Sequence, residues 1–117
     1  LIKRLHKNSR LSRVVVHGDI VYLSGLTADG LEADIAGQTA QILAKADRFL
    51  AEAGASRSTL LTAMIWLKDV ADFDAMNAVW ENWIDPEAPP ARATVEANMA
   101  LPGIRVEIQL TATLGSA

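Results

Sequence analysis

Apolar residues recur along this chain with two different periods, and the switches between them outline its elements. Residues 2–6 are short and basic, an edge-strand candidate. Val14, Val15 and Val16 form a β-branched run, and Ile20, Val21, Tyr22, Leu23 and Ser24 form the next. His17, Gly18 and Asp19 between them are a hairpin signal. Gly25 ends the second strand, and residues 27–33 read as a loop. Asp34 is a good N-cap for the helical stretch after it. Ile35, Ile42, Ala46, Phe49, Leu50 and Ala53 share one helical face, and Thr39 fills the gap in that stripe. Gln38, Gln41, Lys45, Arg48 and Glu52 are expected mostly outside it, and Gly54 suits the left-handed stop.

Residues 58–68 are mostly apolar on both faces, as in a central strand covered on both sides. Asp69 and Asp72 open a second helix with the stripe Phe73, Met76, Trp80, Trp83 and Ile84. Pro86, Pro89 and Pro90 stop it. Two strands come next, residues 89–96 and 106–110, joined by a Met-Ala-Leu-Pro-Gly connection. The order is βββαβαββ, an α+β domain spanning residues 1–117. Two amphipathic helices cover only one face of such a sheet. The other face carries too many aliphatic side chains for water, so a second copy of the chain is the expected cover.

Composition narrows the function. A chain of 117 residues buries roughly two-thirds of its unfolded surface, enough for one core without staples. Half the residues are hydrophobic, a globular composition, and Cys is absent, so there is no disulfide and no thiolate nucleophile or ligand. His6 and His17 are the only histidines, and no metal site is expected. The basic N-terminal group (Lys3, Arg4, Lys7, Arg10, Arg13) reads as a charged edge strand, not a nucleic-acid surface, because the formal net charge is -3 and base-stacking aromatics are few. There is no membrane-length apolar run and no signal-peptide pattern, so a cytoplasmic location is expected.

The candidate chemistry lies in the last two strands. Arg92 stands at a strand mouth, and its planar guanidinium suits bidentate binding of a carboxylate. The plainer reading pairs it with Glu87 or Asp85. Glu107 alternates with Val106 and Ile108, toward the side of Arg105 and Gln109. It is either a water-polarising base on the same sheet face as Arg92 or a cross-strand ion partner. Thr94 shares a face with Arg92 and Glu96 and either holds a water or packs as an ordinary strand residue. Ser24, before Gly25, offers at most a hydrogen bond to a ligand. Asn77 is expected to bond backbone, and Tyr22, His6 and His17 to be structural.

Several segments combine in order. They are Gly18-Asp19, Val21 to Gly25, Gln38, the run from Leu50 to Ser56, and Trp66-Leu67-Lys68-Asp69. Asp72-Phe73, Met76-Asn77, Trp80, Pro90-Ala91-Arg92, Thr94-Val95 and Val106-Glu107-Ile108 complete them. The set resembles the RidA/YjgF family of reactive-intermediate (imine/enamine) deaminases, UK114-like, and is most similar to its short YoaB-like branch. The resemblance implies a chorismate-mutase-like fold with a mixed sheet and two helices on one face. It implies a homotrimer with pockets at subunit interfaces, and cofactor-free hydrolysis of 2-imino acids to 2-keto acids and ammonia. Arg92 matches the group that binds the substrate carboxylate, and Glu107 the group that orients water. Thr94 stands where many members have a cysteine whose backbone helps hold that water, and Ser24 and Gly25 match the pocket wall. The usual N-terminal Gly-Pro-Tyr is replaced by Arg10-Leu11-Ser12-Arg13, and the segment after Gly25 is Leu26-Thr27-Ala28. A non-catalytic module binding small carboxylates, as sensor or chaperone, is the alternative reading. An RNA-cleaving role is a third, disfavoured by the acidic charge balance.

Overall fold

The computed structural model describes residues 1–115. The strands are β1 (Ile2–Lys7), β2 (Ser12–His17), β3 (Ile20–Leu23), β4 (Leu60–Leu67), β5 (Ala91–Glu96) and β6 (Val106–Thr113), with helices α1 (Ile35–Ala53) and α2 (Phe73–Trp83). This is the expected α+β order, βββαβαββ. One mixed sheet runs β1-β2-β3-β6-β4-β5. Neighbours are antiparallel except β4 and β5, which are parallel because α2 carries the chain back between them.

Local chemistry sets the element ends. Gly18, at φ 60°, lets His17 and Ile20 face each other across the hairpin. The Asp34 side chain accepts from the Gly37 N–H at 2.8 Å and starts α1. Gly54, at φ 88°, closes it. The core is made where the helices meet one sheet face. Val14, Val21, Leu23, Ile65, Leu67, Ile108 and Leu110 pack there against Ile42, Leu43, Leu50, Met76, Trp80 and Trp83.

The other face is bare in the single chain. Tyr22 and Val95 are 44% and 43% exposed, and Met64 and Trp66 are only half-buried. Strand β4 is therefore covered on one side only, against the expectation of cover on both. Thr62, Met64 and Trp66 alternate onto the bare side.

Ile35, Ile42, Ala46, Leu50, Ala53, Met76, Trp80 and Trp83 are buried as the periodicity expects, but Phe73 at the start of α2 is exposed and Lys45 is largely buried. Gln38 is fully buried, not outside the stripe. Its amide donates to the carbonyls of Leu31, Ala33 and Gly103, at 3.1, 3.2 and 2.9 Å. Its oxygen accepts from the Arg105 N–H at 2.9 Å. One side chain thus ties the loop before α1 to the chain entering β6. A periodicity count cannot anticipate this, because a glutamine buried for its hydrogen bonds looks like a surface residue in sequence.

Candidate functional site

Arg92 lies on edge strand β5, opposite Ala63 of β4. Ala63 is buried beneath the helices, so Arg92 points to the helix side of the sheet. There it meets α2. Its Nη1 donates to Asn77 Oδ1 at 2.7 Å. The guanidinium carbon lies 5.7 Å from the Phe73 ring centroid and 5.4 Å from that of Trp80. Positions 73, 77 and 80 are one helical face, and that spacing was the available signal for this cradle. Asn77 bonds a side chain, not backbone as expected.

Neither Glu87 nor Asp85 pairs with Arg92. Asp85 accepts instead from the Ser58 hydroxyl and the Glu87 N–H. Arg92 forms no ion pair among the described residues. Burial draws its pKa below the usual arginine value, and the field of Glu81 opposes that shift. The cation is oriented by a neutral acceptor and two π faces, which leaves its charge free for an anion.

Glu107 lies on β6 opposite Trp66, on the bare face. It forms no ion pair with a basic neighbour among the described residues. Its carboxylate sits directly over Gly25, where an added Cβ would overlap Oε2. A bulge creates this approach. Tyr22 pairs with Thr111, and Leu26 pairs with Ile108, so one strand carries an extra residue between the two bridges. The extra length falls at Leu23 to Gly25. Glu107 borders a cleft of about 310 Å³ with Trp66, Asn98 and Met99.

Thr94 pairs with Ile65 and so shares the helix side with Arg92 and Glu96, as expected. The hydroxyls of Ser24 and Thr94 are both buried without a hydrogen-bond partner. A buried hydroxyl normally finds one, so these two stand out. They are the two buried side-chain polar atoms in this state among the described residues, and both belong to the expected site.

One expectation fails within the chain. Arg92 and Glu107 do not share a sheet face, because β4 lies between β5 and β6 and their partners, Ala63 and Trp66, alternate. They sit two strands and three residues apart, about 14 Å between Cα atoms from standard sheet spacings. Arg92 instead borders a cleft of about 420 Å³ with Thr62, Met64, Ala93 and Gln109. The structure thus brings together Ser24, Gly25 and Glu107 as one group, and Arg92 and Thr94 as another. A larger cleft of about 570 Å³, between residues 31–33 and 99–105, includes none of the five.

Replacing Gly25 by alanine separates fold from site. Gly25 has no left-handed backbone, and the added methyl meets only the end of a flexible carboxylate. The melting temperature stays within a few degrees of the parent. Glu107 is displaced, and if it orients water as the resemblance implies, turnover is expected to fall by about a hundredfold, the scale of an ångström misplacement. A Gly25→Ala variant with parental kcat/KM would show that this carboxylate position is unimportant.

Comparison with known proteins gives the family. The family described as Endoribonuclease L-PSP matches residues 1–114. A RutC family protein of Haemophilus influenzae is 39% identical over 113 residues, 96% of this chain and 97% of the relative. The RutC family protein YoaB of Escherichia coli K12 is 38% identical over 113 residues, 97% of this chain and 98% of the relative. The crystal structure of a YjgF family member from Neisseria meningitidis superposes with a TM-score of 0.95 at 40% identity, covering 99% of this chain and 97% of that one. Matched over residues 1–114 by the family model and almost end to end by these relatives, the chain belongs to the RutC/YjgF (Endoribonuclease L-PSP) family.

Proposed function

We propose that this protein hydrolyses reactive 2-imino acids, formed from their enamine tautomers, to 2-keto acids and ammonia. The observation that carries the reading is Arg92, a guanidinium held by Asn77, Phe73 and Trp80 yet without a carboxylate partner among the described residues. Such a group is prepared to take one from a ligand. Bidentate pairing would fix the substrate carboxylate and so the position of its C2 carbon. Water held by Glu107 adds to C2 as the C=N electron pair moves to nitrogen. Glu107 takes a proton from the water and returns it to nitrogen. The hydroxyl proton of the resulting carbinolamine then passes to nitrogen, with Glu107 as the relay, as C=O forms, the C–N bond breaks and ammonia leaves. The reaction is a hydrolysis without oxidation or reduction, so it calls for no cofactor.

Arg92 and Glu107 are too far apart in one chain to hold one small acid. We therefore assign the working pocket to the contact between copies in a homotrimer, with Arg92 and Thr94 from one copy and Ser24, Gly25 and Glu107 from the next. The bare sheet face supports this, since it carries Tyr22, Met64, Trp66 and Val95 beside Glu107. Light scattering is expected to give three times the monomer mass. A monomer with undiminished turnover would overturn the shared pocket.

The deciding experiment is turnover of freshly generated 2-iminopropionate, followed by loss of the imine. The protein accelerates its hydrolysis well above the buffer rate. Binding of a 2-keto acid at Arg92 with no acceleration over several imino acids would leave a non-catalytic carboxylate-binding module instead.

A further inference from the structure

A separate cleft of about 300 Å³ lies between the start of β2, the loop after β3 and α1. Arg13, Lys45 and Arg48 line it, with Asp29 the one acidic residue and Leu26 and Phe49 apolar. None of these residues belongs to the proposed imine site.

The charges are unevenly committed. Lys45 is largely buried, at 16% side-chain exposure, and donates to Asp29 Oδ1 at 2.9 Å and to the Thr27 carbonyl at 2.8 Å. Lys45 and Asp29 therefore compensate one another, with Asp29 at the rim at 86% exposure. Arg13 and Arg48 form no ion pair among the described residues. Their fields nonetheless converge on this point. Asp29 is held below the usual carboxylate range by the Lys45 hydrogen bond and charge first, with smaller contributions from Arg48 and Arg13. The cleft thus has two positive charges in excess, both on guanidinium forks, with Leu26 and Phe49 also in its lining.

We propose that this cleft binds a phosphate group, either free phosphate or the phosphate of a small monoester. Two forked guanidiniums match the charge and the oxygens of a phosphate dianion, which a single carboxylate does not provide. The volume lies at the small end for ligand pockets, suited to a phosphate with a short organic body. Its seven lining residues include only Leu26 and Phe49 as apolar groups and no run of exposed aromatics for base stacking.

The test is an amide chemical-shift titration of the full chain at constant ionic strength, with inorganic phosphate, glycerol 3-phosphate and acetate. Saturable shifts are expected at residues 26–29 and 45–49 with both phosphates and not with acetate. Tighter binding of glycerol 3-phosphate assigns the site to a phosphorylated metabolite, and equal binding assigns it to free phosphate. Arg13→Gln with Arg48→Gln weakens binding by about tenfold or more, the loss of a charge-assisted hydrogen bond. Arg48→Gln alone, at an exposed helix position, gives a smaller loss without risk to the fold. Asp29→Asn tightens binding by removing the one negative charge, and Arg92→Ala leaves it unchanged. The proposal is overturned by no saturable shift at tens of millimolar phosphate, by equal binding of acetate, or by indifference to both arginine changes. Preferential binding of an RNA oligonucleotide with shifts spread beyond the cleft would also overturn it.

Discussion

Arg92→Ala is expected to lower kcat/KM for 2-iminopropionate by about thirtyfold or more. Truncating one partner of a desolvated, hydrogen-bonded charge pair costs about 2–5 kcal/mol, and each 1.4 kcal/mol is about tenfold. Arg92 is part-buried against α2, so water does not screen it as it would a free surface arginine. Arg92→Lys keeps a positive charge but loses the fork and its placement over the Trp80 and Phe73 rings. It should recover only part of the loss, mainly as a raised KM. Neither change threatens the fold. Asn77 Oδ1 loses its partner at an incompletely buried position, and the stability cost stays near 1 kcal/mol. Steady-state rates with thermal melts separate the two effects. A full-rate Arg92→Ala protein would remove the carboxylate clamp from the mechanism.

Gln38→Leu produces the largest loss of stability. Leucine matches the volume and leaves three carbonyls and the Arg105 N–H without their partner. The amide has two hydrogens for three acceptors, so at least one is shared, and the whole arrangement is lost together. Buried groups left unsatisfied cost about 1–3 kcal/mol each, and partial relaxation toward water brings the expected total to about 3–4 kcal/mol. For a domain of this size that is roughly a 15 °C drop in melting temperature. Gln38→Glu fares no better, because carboxylate oxygens would then face the carbonyls of Leu31, Ala33 and Gly103. Calorimetry gives the shift, and amide exchange at Arg105 should accelerate more than the global change explains. A drop of only a few degrees would mean that these loops are held by other contacts.

These two residues differ in how visible they are in the sequence. Arg92 stands out because a guanidinium at a strand mouth suits a carboxylate and because the segments around it match a family in order. Gln38 is one of those segments, yet its place in the helix pattern reads as exterior. Hydrophobic periodicity reports transfer from water and is silent about a polar group buried to satisfy backbone. The α2 cradle lies between these cases. Phe73 and Trp80 are visible as stripe residues, but their contact with Arg92 depends on where β5 lies beside the helix.

The faces of Arg92 and Glu107 are the sharpest instance of what needed three dimensions. In β5 the polar residues Arg92, Thr94 and Glu96 share the helix side, while Ala91, Ala93 and Val95 lie on the bare side. The usual rule of apolar inside and polar outside is reversed there, because β5 is an edge strand whose outer residues reach the flank of α2. In β6 the rule holds, and Glu107 lies on the bare side. The insertion of β4 between β5 and β6 set this relation, and no local pattern records which strand inserts where.

The sequence by itself determined the kind and order of the elements, their caps and stops, the apolar face of each helix and the family. Those depend on short-range geometry, the periods of helix and strand and the conformational limits of Asp, Gly and Pro. Only the tertiary structure decided the strand order, the sides taken by Arg92 and Glu107, the burial of Gln38 and the convergence of Arg13, Lys45 and Arg48. Those depend on pairings between residues far apart in the chain, and one residue of register reverses every face.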